Sequence, residues 1–420
     1  METSAEGITA PAAVYEIAGR RFKVGARGFA DAVADAHAAH QRPRCMCLVE
    51  GVEMYVARLG QGFIVKRMPD TGSHHAPDCP SYEPPAEFSG LGQVLGSAIT
   101  EDPATGETTL KLDFPLTKMP GRSQMPPAGG ESDSVASEGS RLSLRGLLHY
   151  LWDQAELTRW HPGFAGKRTW ATVRRHLLQA AEQKFARGQS LQSRLYIPEF
   201  FSVEQRDAIN ARRLSHWARA IQTPGKAQQL MLMICEVKEI VPARYGFKAV
   251  VKHLPDQAFA IDEQLYRRLA RRFEAELDLW GTSDSTRMVM ISTFRLNTVG
   301  LPSIVELSLM PVTLSWLPID DGFDKQLVEH LEADGRSFVK SLRYNMAAHC
   351  QLASAALTDC GDLTPLLFIV RADSEDCEAA DVGLAPSGSM WCWNPTTEQM
   401  PPLPPRPESR QCRPAHNTAG

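Results

Sequence analysis

The chain is short of most features that announce a function. No apolar run approaches the roughly 20 residues that cross a bilayer, so no membrane span is expected. The opening METSAEGITAPAAVYEIAGRRFKVG carries two early acids, no basic start and no apolar core. A secretory leader is therefore not expected, and the protein is expected to be cytoplasmic. No phosphate-binding loop ending in Gly-Lys-Ser/Thr, no Gly-x-Ser-x-Gly elbow and no His-Glu-x-x-His pair is present, which removes the commonest nucleotide, hydrolase and zinc-protease signatures. Net charge is also small, -4 over 420 residues. No global field would draw a polyanion, so any nucleic-acid role must sit in a local patch. Cysteines number nine, an odd count with no Cys-x-x-Cys spacing. Reduced thiols or metal ligands fit that better than a disulfide framework or a redox pair.

What is present is ordinary globular material: 43% hydrophobic and 22% charged residues. The length exceeds what one core usually serves. The pattern reads as an α+β multidomain chain. An N-terminal zinc-hairpin domain is expected over 14–119, a flexible linker over 120–140 and a basic helical domain over 141–222. A C-terminal mixed α/β domain over 226–372 and a proline-rich tail over 373–420 complete it. The linker PGRSQMPPAGGESDSVASEGS is dominated by Pro, Gly and Ser, a composition that does not build a core.

The sharpest pattern lies in the first part. Glu53–Leu59 and Phe63–Met68 are β-prone runs joined by Gly60-Gln61-Gly62, which predicts a hairpin. Cys45 and Cys47 precede it, and His75 and Cys79 follow it. A hairpin returns the chain to its start, so the two pairs should meet. Cys45 and Cys47, two apart on an extended segment, point their sulfurs to one side. Three thiolates and one imidazole complete a tetrahedral zinc site with no open position, which makes it structural. His74 is as available as His75 on spacing alone, and the competing reading is two reduced core thiols beside a surface histidine pair.

Between Arg141 and Arg219 basic residues outnumber acidic ones fourteen to six, a local net of +8. In the helix expected from Thr169, Trp170, Val173 and Leu177 form the apolar stripe. Arg168, Thr172, Arg175 and Gln179 then form the opposite face, with side chains suited to phosphates and base edges. Nucleic acid is the partner that face implies; the blander alternative is a solvated helix surface.

Further on, a helix (323–332) and three strands (338–344, 353–357, 366–370) follow an order seen in restriction-endonuclease-like cores. Their chemistry needs an Asp on the second strand and an acid and a Lys on the third. Only Asp359 is offered, and Leu366-Leu-Phe-Ile-Val370 has neither acid nor Lys. The expectation is therefore a non-catalytic chain, with a divergent metal-dependent nuclease as the alternative. Pro401-Pro-Leu-Pro-Pro-Arg406 favours polyproline II and suggests a third option, an adaptor whose tail binds a protein partner.

Three stretches together, RPRCMC with MYVARLGQGFIVKRMPDTGSHHAPDCPSYEPPAEFSGLG, then LKLDFPLTK, then FVKSLRYNMAAHCQLASAALTD, resemble the bacterial domain-of-unknown-function family numbered eleven seventy-three. The resemblance covers most of the chain. It implies a setting, the cytoplasmic machinery or cargo of plasmids and integrative conjugative elements, and carries no activity with it.

Overall fold

The structure is a computed structural model that describes residues 13–118, 139–223, 225–347, 350–370 and 390–407. Helices and strands are mixed throughout. Most of the expected linker and most of the expected tail lie outside the described residues.

The N-terminal part is a five-stranded sheet. Val14–Ile17 pairs with Arg20–Lys23 on one side and with the short strand Arg44–Cys45 on the other. The expected hairpin is there, Val52–Leu59 against Gly62–Arg67, with Leu59 opposite Gly62. One face of the sheet is closed by the helix Phe29–Ala38, which buries Val33 and Ala36. Tyr15, Ile17, Met54, Val56, Cys45 and Cys79 complete that small core.

The expected helical part is only partly helical. Leu144–Gln154, Trp170–Ala180 and Arg206–Trp217 are helices, and Trp170, Val173 and Leu177 are buried as their spacing requires. The third helix starts after Gln205, whose side chain makes no cap hydrogen bond. Between the helices run two- and three-residue strands that the sequence pattern does not reveal. Gln189–Ser190 pairs locally with Lys184–Ala186, but three others reach distant segments. Arg159–Trp160 joins Phe338–Lys340, Lys184–Ala186 joins Thr108–Leu110 in parallel, and Leu195–Tyr196 joins Met231–Pro242. Their backbone groups are satisfied across the expected boundaries, as buried amides and carbonyls require. Accordingly one core draws Val94 and Leu112 from the first part, Leu147, Trp152 and Leu177 from the second, and Ile234, Val312 and Tyr344 from the third. The boundaries expected near 141 and 226 do not divide separate cores. Tight apposition seals one junction. A Cβ on Gly90 would sit 2.0 Å from the Arg343 carbonyl oxygen, and the Gly90 amide donates to the Leu342 carbonyl at 2.9 Å.

Between Met231 and Thr313, five strands close on themselves. Met231–Pro242 pairs with Phe247–Val251, which pairs with Ala258–Ile261. The latter lies parallel to Pro302–Thr313, with Ala260 opposite Ser303. Pro302–Thr313 pairs with Thr286–Leu296, and that strand returns to the first through Met231↔Phe294 to Val237↔Met288. Between the third and fourth of these strands run two helices, Glu263–Arg272 and Glu274–Thr282, separated at Phe273, whose side chain is buried in the barrel core.

The last sheet holds Phe338–Lys340, Ala353–Leu357 and Leu366–Ile369, the latter two buried along their whole length. The first is shorter than the expected 338–344; beyond it Arg343 forms an ion pair with Asp320 at 2.6 Å and the chain turns at Tyr344, at φ 48°. The tail contributes a strand the composition hides: Met390–Trp393 lies parallel to Leu366–Ile369. Its proline-rich continuation is docked on the body. The Pro402 carbonyl accepts from Trp391 Nε1 at 3.0 Å and the Pro404 carbonyl from Arg336 at 2.9 Å.

Candidate metal centre

Two pieces of backbone build the site. Cys45 sits on a short strand held between Tyr15 and Val52. Gly51, at φ 68°, turns the chain back toward the hairpin. On the far side of the hairpin, a single 3-10 turn, Gly72–His74, delivers His75. The Cys79 amide then closes a turn on the Ala76 carbonyl at 2.9 Å. This loop is tied to the hairpin by the Arg67–Glu83 ion pair and by Arg67 donating to the Ser81 carbonyl at 3.1 Å. It is also tight. The Glu83 amide reaches the Gly72 carbonyl at 3.1 Å, and a Cβ on Gly72 would meet the Glu83 Cβ at 2.6 Å.

The four side chains converge. One ligand atom from each of Cys45, Cys47, His75 and Cys79 lies within 4.8 Å of all the others. Cys45 Sγ is 3.7 Å from Cys79 Sγ. His75 Nδ1 is 3.4 Å from Cys47 Sγ and 3.7 Å from Cys79 Sγ. Zinc–sulfur and zinc–nitrogen bonds of roughly 2.3 and 2.05 Å at tetrahedral angles give edges of about 3.6–3.8 Å. These three separations lie close to those edges, while the four atoms together span up to 4.8 Å, and the Cys45–Cys79 distance is far from the roughly 2.05 Å of a disulfide. The structure also separates the two histidines. His75 is buried, whereas His74 is exposed on the outside of the 3-10 turn. His75 Nδ1 faces the sulfurs, and buried Nε2 has no hydrogen-bond partner among the described residues.

The electrostatics suit a cation. Hydrogen bonding to Cys79 and burial push the Cys45 thiol up, and burial pushes Cys47 up. Cys79 is pulled down to about 4, first by the hydrogen bond from Cys45, then by His75 and by the Ser81 amide, which donates to its sulfur at 3.4 Å. Three thiolates this close repel, so without a cation one thiolate is favoured and two thiols keep their protons. A divalent ion bound to all three removes that conflict, because a coordinating thiol gives up its proton.

The family follows from the whole chain, this cluster included. It belongs to the family described as protein of unknown function (DUF1173), which matches residues 15–396. No curated protein and no solved structure matches the chain.

The other expected site residues of this DUF1173 protein separate in space. Arg168 faces inward. Its guanidinium donates to the carbonyls of Leu157 at 2.9 Å, Arg159, and Ser315 at 3.4 Å, and lies against Trp160 and Phe164. Burial lowers its pKa to about 10. It holds three chain segments together and is not part of an open helix face. Thr172 spends its hydroxyl on Thr169 at 3.2 Å and the Lys167 carbonyl at 3.4 Å. Arg175 and Gln179 are exposed. Asp359, the one acid offered for metal catalysis, is gripped by Arg336 at 2.8 and 2.9 Å and by the Ser337 amide at 3.0 Å. Among the described residues, no group of three or more acids, cysteines or histidines other than the Cys/His cluster is placed to hold a metal. No helix among them is long and apolar enough to cross a membrane.

Proposed function

We propose that the chain is a structural-zinc protein that serves as a non-catalytic accessory factor of a mobile genetic element and associates with nucleic acid in the cytoplasm. The convergence of three sulfurs and one imidazole nitrogen within 4.8 Å carries the zinc assignment. All four ligand positions are filled by side chains, which leaves no coordination site for substrate and makes the ion a staple of the hairpin. The staple joins Cys45, on a strand of the sheet, to the loop between Gly72 and Glu83, which has only a single 3-10 turn of regular structure.

Support for the nucleic-acid half is narrower. Arg175 and Gln179 stand exposed on the helix Trp170–Ala180, in a segment of net positive charge. The mobile-element setting rests on the family resemblance. The test is metal analysis and DNA binding on the full chain. Close to one zinc per chain is expected, along with DNA affinity that falls steeply with salt. Arg175→Glu should weaken binding to duplex DNA without lowering the melting temperature. Metal-free protein that melts as a single folded species at the same temperature with and without added zinc would refute the zinc half. Full-length protein that ignores both single- and double-stranded DNA at low salt would refute the other.

A further inference from the structure

The barrel between Met231 and Thr313 has a distinctive connectivity. Numbered along the chain, its strands run around the barrel in the order first, second, third, fifth, fourth, and back to the first. The third and fifth are parallel, and the helical pair Glu263–Thr282 lies between the third and fourth. The first strand carries an irregularity between Val237 and Glu239, where it bends from one neighbour to the next. This is the five-stranded Greek-key closure of the OB-fold. Such barrels bind oligonucleotides or oligosaccharides over the second and third strands, between the first–second and fourth–fifth loops. Topology alone does not assign a ligand, so the residues of that face decide.

The barrel exterior is covered on one side only. Met233, Cys235, Phe259, Phe294 and Leu307 fill the interior. The alternating outward residues of the first, fourth and fifth strands, such as Ile234, Ile291 and Val312, are buried in the larger core. The outward residues of the second and third strands are not: Lys248 and Ala260 are exposed, and Val250 and Ala258 are half-buried. Pairing sets Lys248, Ala260, Ser303 and Arg295 in one row across four strands. Alanine and serine put little bulk in the middle of that row. One border is the turn Arg244-Tyr245-Gly246, where Tyr245 is 80% exposed and the Arg244 guanidinium lies 5.2 Å from its ring. The other is the loop 297–301, which exposes Val299 and Leu301. Asn297 props that loop by accepting from the Val299 and Leu301 amides at 3.0 and 2.8 Å.

The charge of this face is left open for an anion. Arg244, Lys248 and Arg295 have no carboxylate partner among the described residues. The nearby acids are engaged elsewhere: Asp256 with Arg213, Asp262 as a helix cap, and Glu236 with Lys252 and Arg287. Glu239, opposite Val250, is the one exposed acid on the adjoining strand. Free cations track a phosphate backbone, while an exposed aromatic ring beside apolar side chains offers base faces something to stack on. A duplex hides its base faces, and a neutral sugar has no use for three unpaired cations.

We infer that the face bounded by Arg244, Tyr245, Lys248 and Arg295 is a binding site for single-stranded nucleic acid. The site deepens the proposed association with nucleic acid and rests on it, while using different residues from Arg175 and Gln179.

Fluorescence anisotropy on the full-length, zinc-loaded chain tests it. The probes are labelled 15-nucleotide oligo-dT, the matching oligo-U, a 15-base-pair duplex and a labelled maltoheptaose. The expected result is at least tenfold preference for a single strand over the duplex, with oligo-dT and oligo-U showing which sugar is favoured. Tyr245→Ala and Lys248→Glu should each weaken single-strand binding about tenfold, with unchanged melting temperature because both side chains are exposed. Arg175→Glu should leave that binding intact. If Tyr245→Ala and Lys248→Glu bind single strands like the parent while Arg175→Glu does not, the barrel site is wrong and nucleic-acid association stands. If no nucleic acid binds at low salt, both fall. Maltoheptaose binding lost in Tyr245→Ala, without nucleic-acid binding, would reassign the face to a sugar.

Discussion

Cys45 and Cys79 are separated by 34 positions, yet their sulfurs lie 3.7 Å apart, the edge of a tetrahedron around a zinc ion. The hairpin Val52–Leu59/Gly62–Arg67 makes that meeting possible, since it brings both flanks to one end of the sheet. Replacing Cys47 or Cys79 with Ser should therefore drop the zinc content from about one per chain to near zero. Replacing Cys350, which lies outside the cluster, should leave it unchanged. Zinc retained at full stoichiometry in Cys79→Ser would exclude this ligand set. Because the site borders the small core around Tyr15, Ile17 and Met54, loss of metal should also expose the hairpin to proteolysis while the barrel stays protected.

A second prediction separates the ligand from its neighbour, and the ligand from the loop that presents it. His75→Ala should lose zinc, and His74→Ala should keep it, because only His75 Nδ1 faces the sulfurs. Gly72→Ala removes no ligand. Its Cβ would overlap the Glu83 side chain and shift the turn that delivers His75. Zinc should bind this variant more weakly, measured by competition with a chromogenic chelator, with an affinity loss of about tenfold or more. Wild-type affinity in Gly72→Ala would mean the loop adapts freely and is not set by that contact.

The legibility of the sequence divides along physical lines. The Cys/His cluster is readable because the hairpin between its two halves is local: two β-prone runs, a glycine turn, and ligand types at both ends. Trp170, Val173 and Leu177 were readable because helical spacing is also local. The barrel was not. Its closing pair, Met231–Val237 with Met288–Phe294, spans more than fifty residues and two helices, and nothing in either run states its partner. Strands of two or three residues, such as Arg159–Trp160 and Lys184–Ala186, have no periodicity to detect, and they stitch the expected domains together. Arg168 misled for another reason. Spacing placed it opposite an apolar stripe, but it precedes the helix, and its guanidinium turns back onto three carbonyls. The signal for the barrel face was visible but slight: an Arg-Tyr-Gly turn between two β-prone runs.

Acid should destabilise the chain through His149, which is buried against Tyr344. Its Nδ1 accepts the Tyr344 amide at 3.0 Å, so the ring must be neutral at that atom. Burial, reinforced by the nearby charge of Arg145, lowers its pKa to about 3, against about 6.5 for an unfolded chain. Between those values the unfolded state binds the extra proton. Stability conferred by the neutral ring is thus complete above about pH 6.5 and is lost as pH falls toward 3. The slope should approach about 1.4 kcal/mol per pH unit from this group. Denaturant midpoints at pH 7 and pH 5 measure it. His149→Gln, which keeps an acceptor without a proton to gain, should be less stable at pH 7 yet show a shallower fall on acidification. An equally steep fall in the variant would place the acid sensitivity elsewhere.

The last prediction concerns Asp359 and whether the C-terminal sheet can cleave nucleic acid. Magnesium-dependent hydrolysis needs several carboxylate oxygens around the ion. Asp359 has both its oxygens committed to Arg336, and Arg406 approaches one of them at 3.3 Å. Burial raises its pKa, but the hydrogen bonds and charge of Arg336 outweigh that and hold the carboxyl below its ordinary value. It is therefore an anion already neutralised by arginine. A divalent ion would have to displace a guanidinium that is itself buried. Wild-type protein is accordingly expected to leave DNA and RNA intact with magnesium or manganese. Asp359→Ala should instead act on stability. It strands a buried arginine, an error that costs about 3–5 kcal/mol when a buried pair loses one partner, lowered here because Asp359 is partly solvated and Arg336 keeps the Pro404 carbonyl. A fall in the melting temperature, with release of the proline-rich segment to proteases, is the expected outcome. Metal-dependent cleavage by the wild type that vanishes in Asp359→Ala, at unchanged melting temperature, would show that the carboxylate serves chemistry and that its pairing with Arg336 gives way to metal.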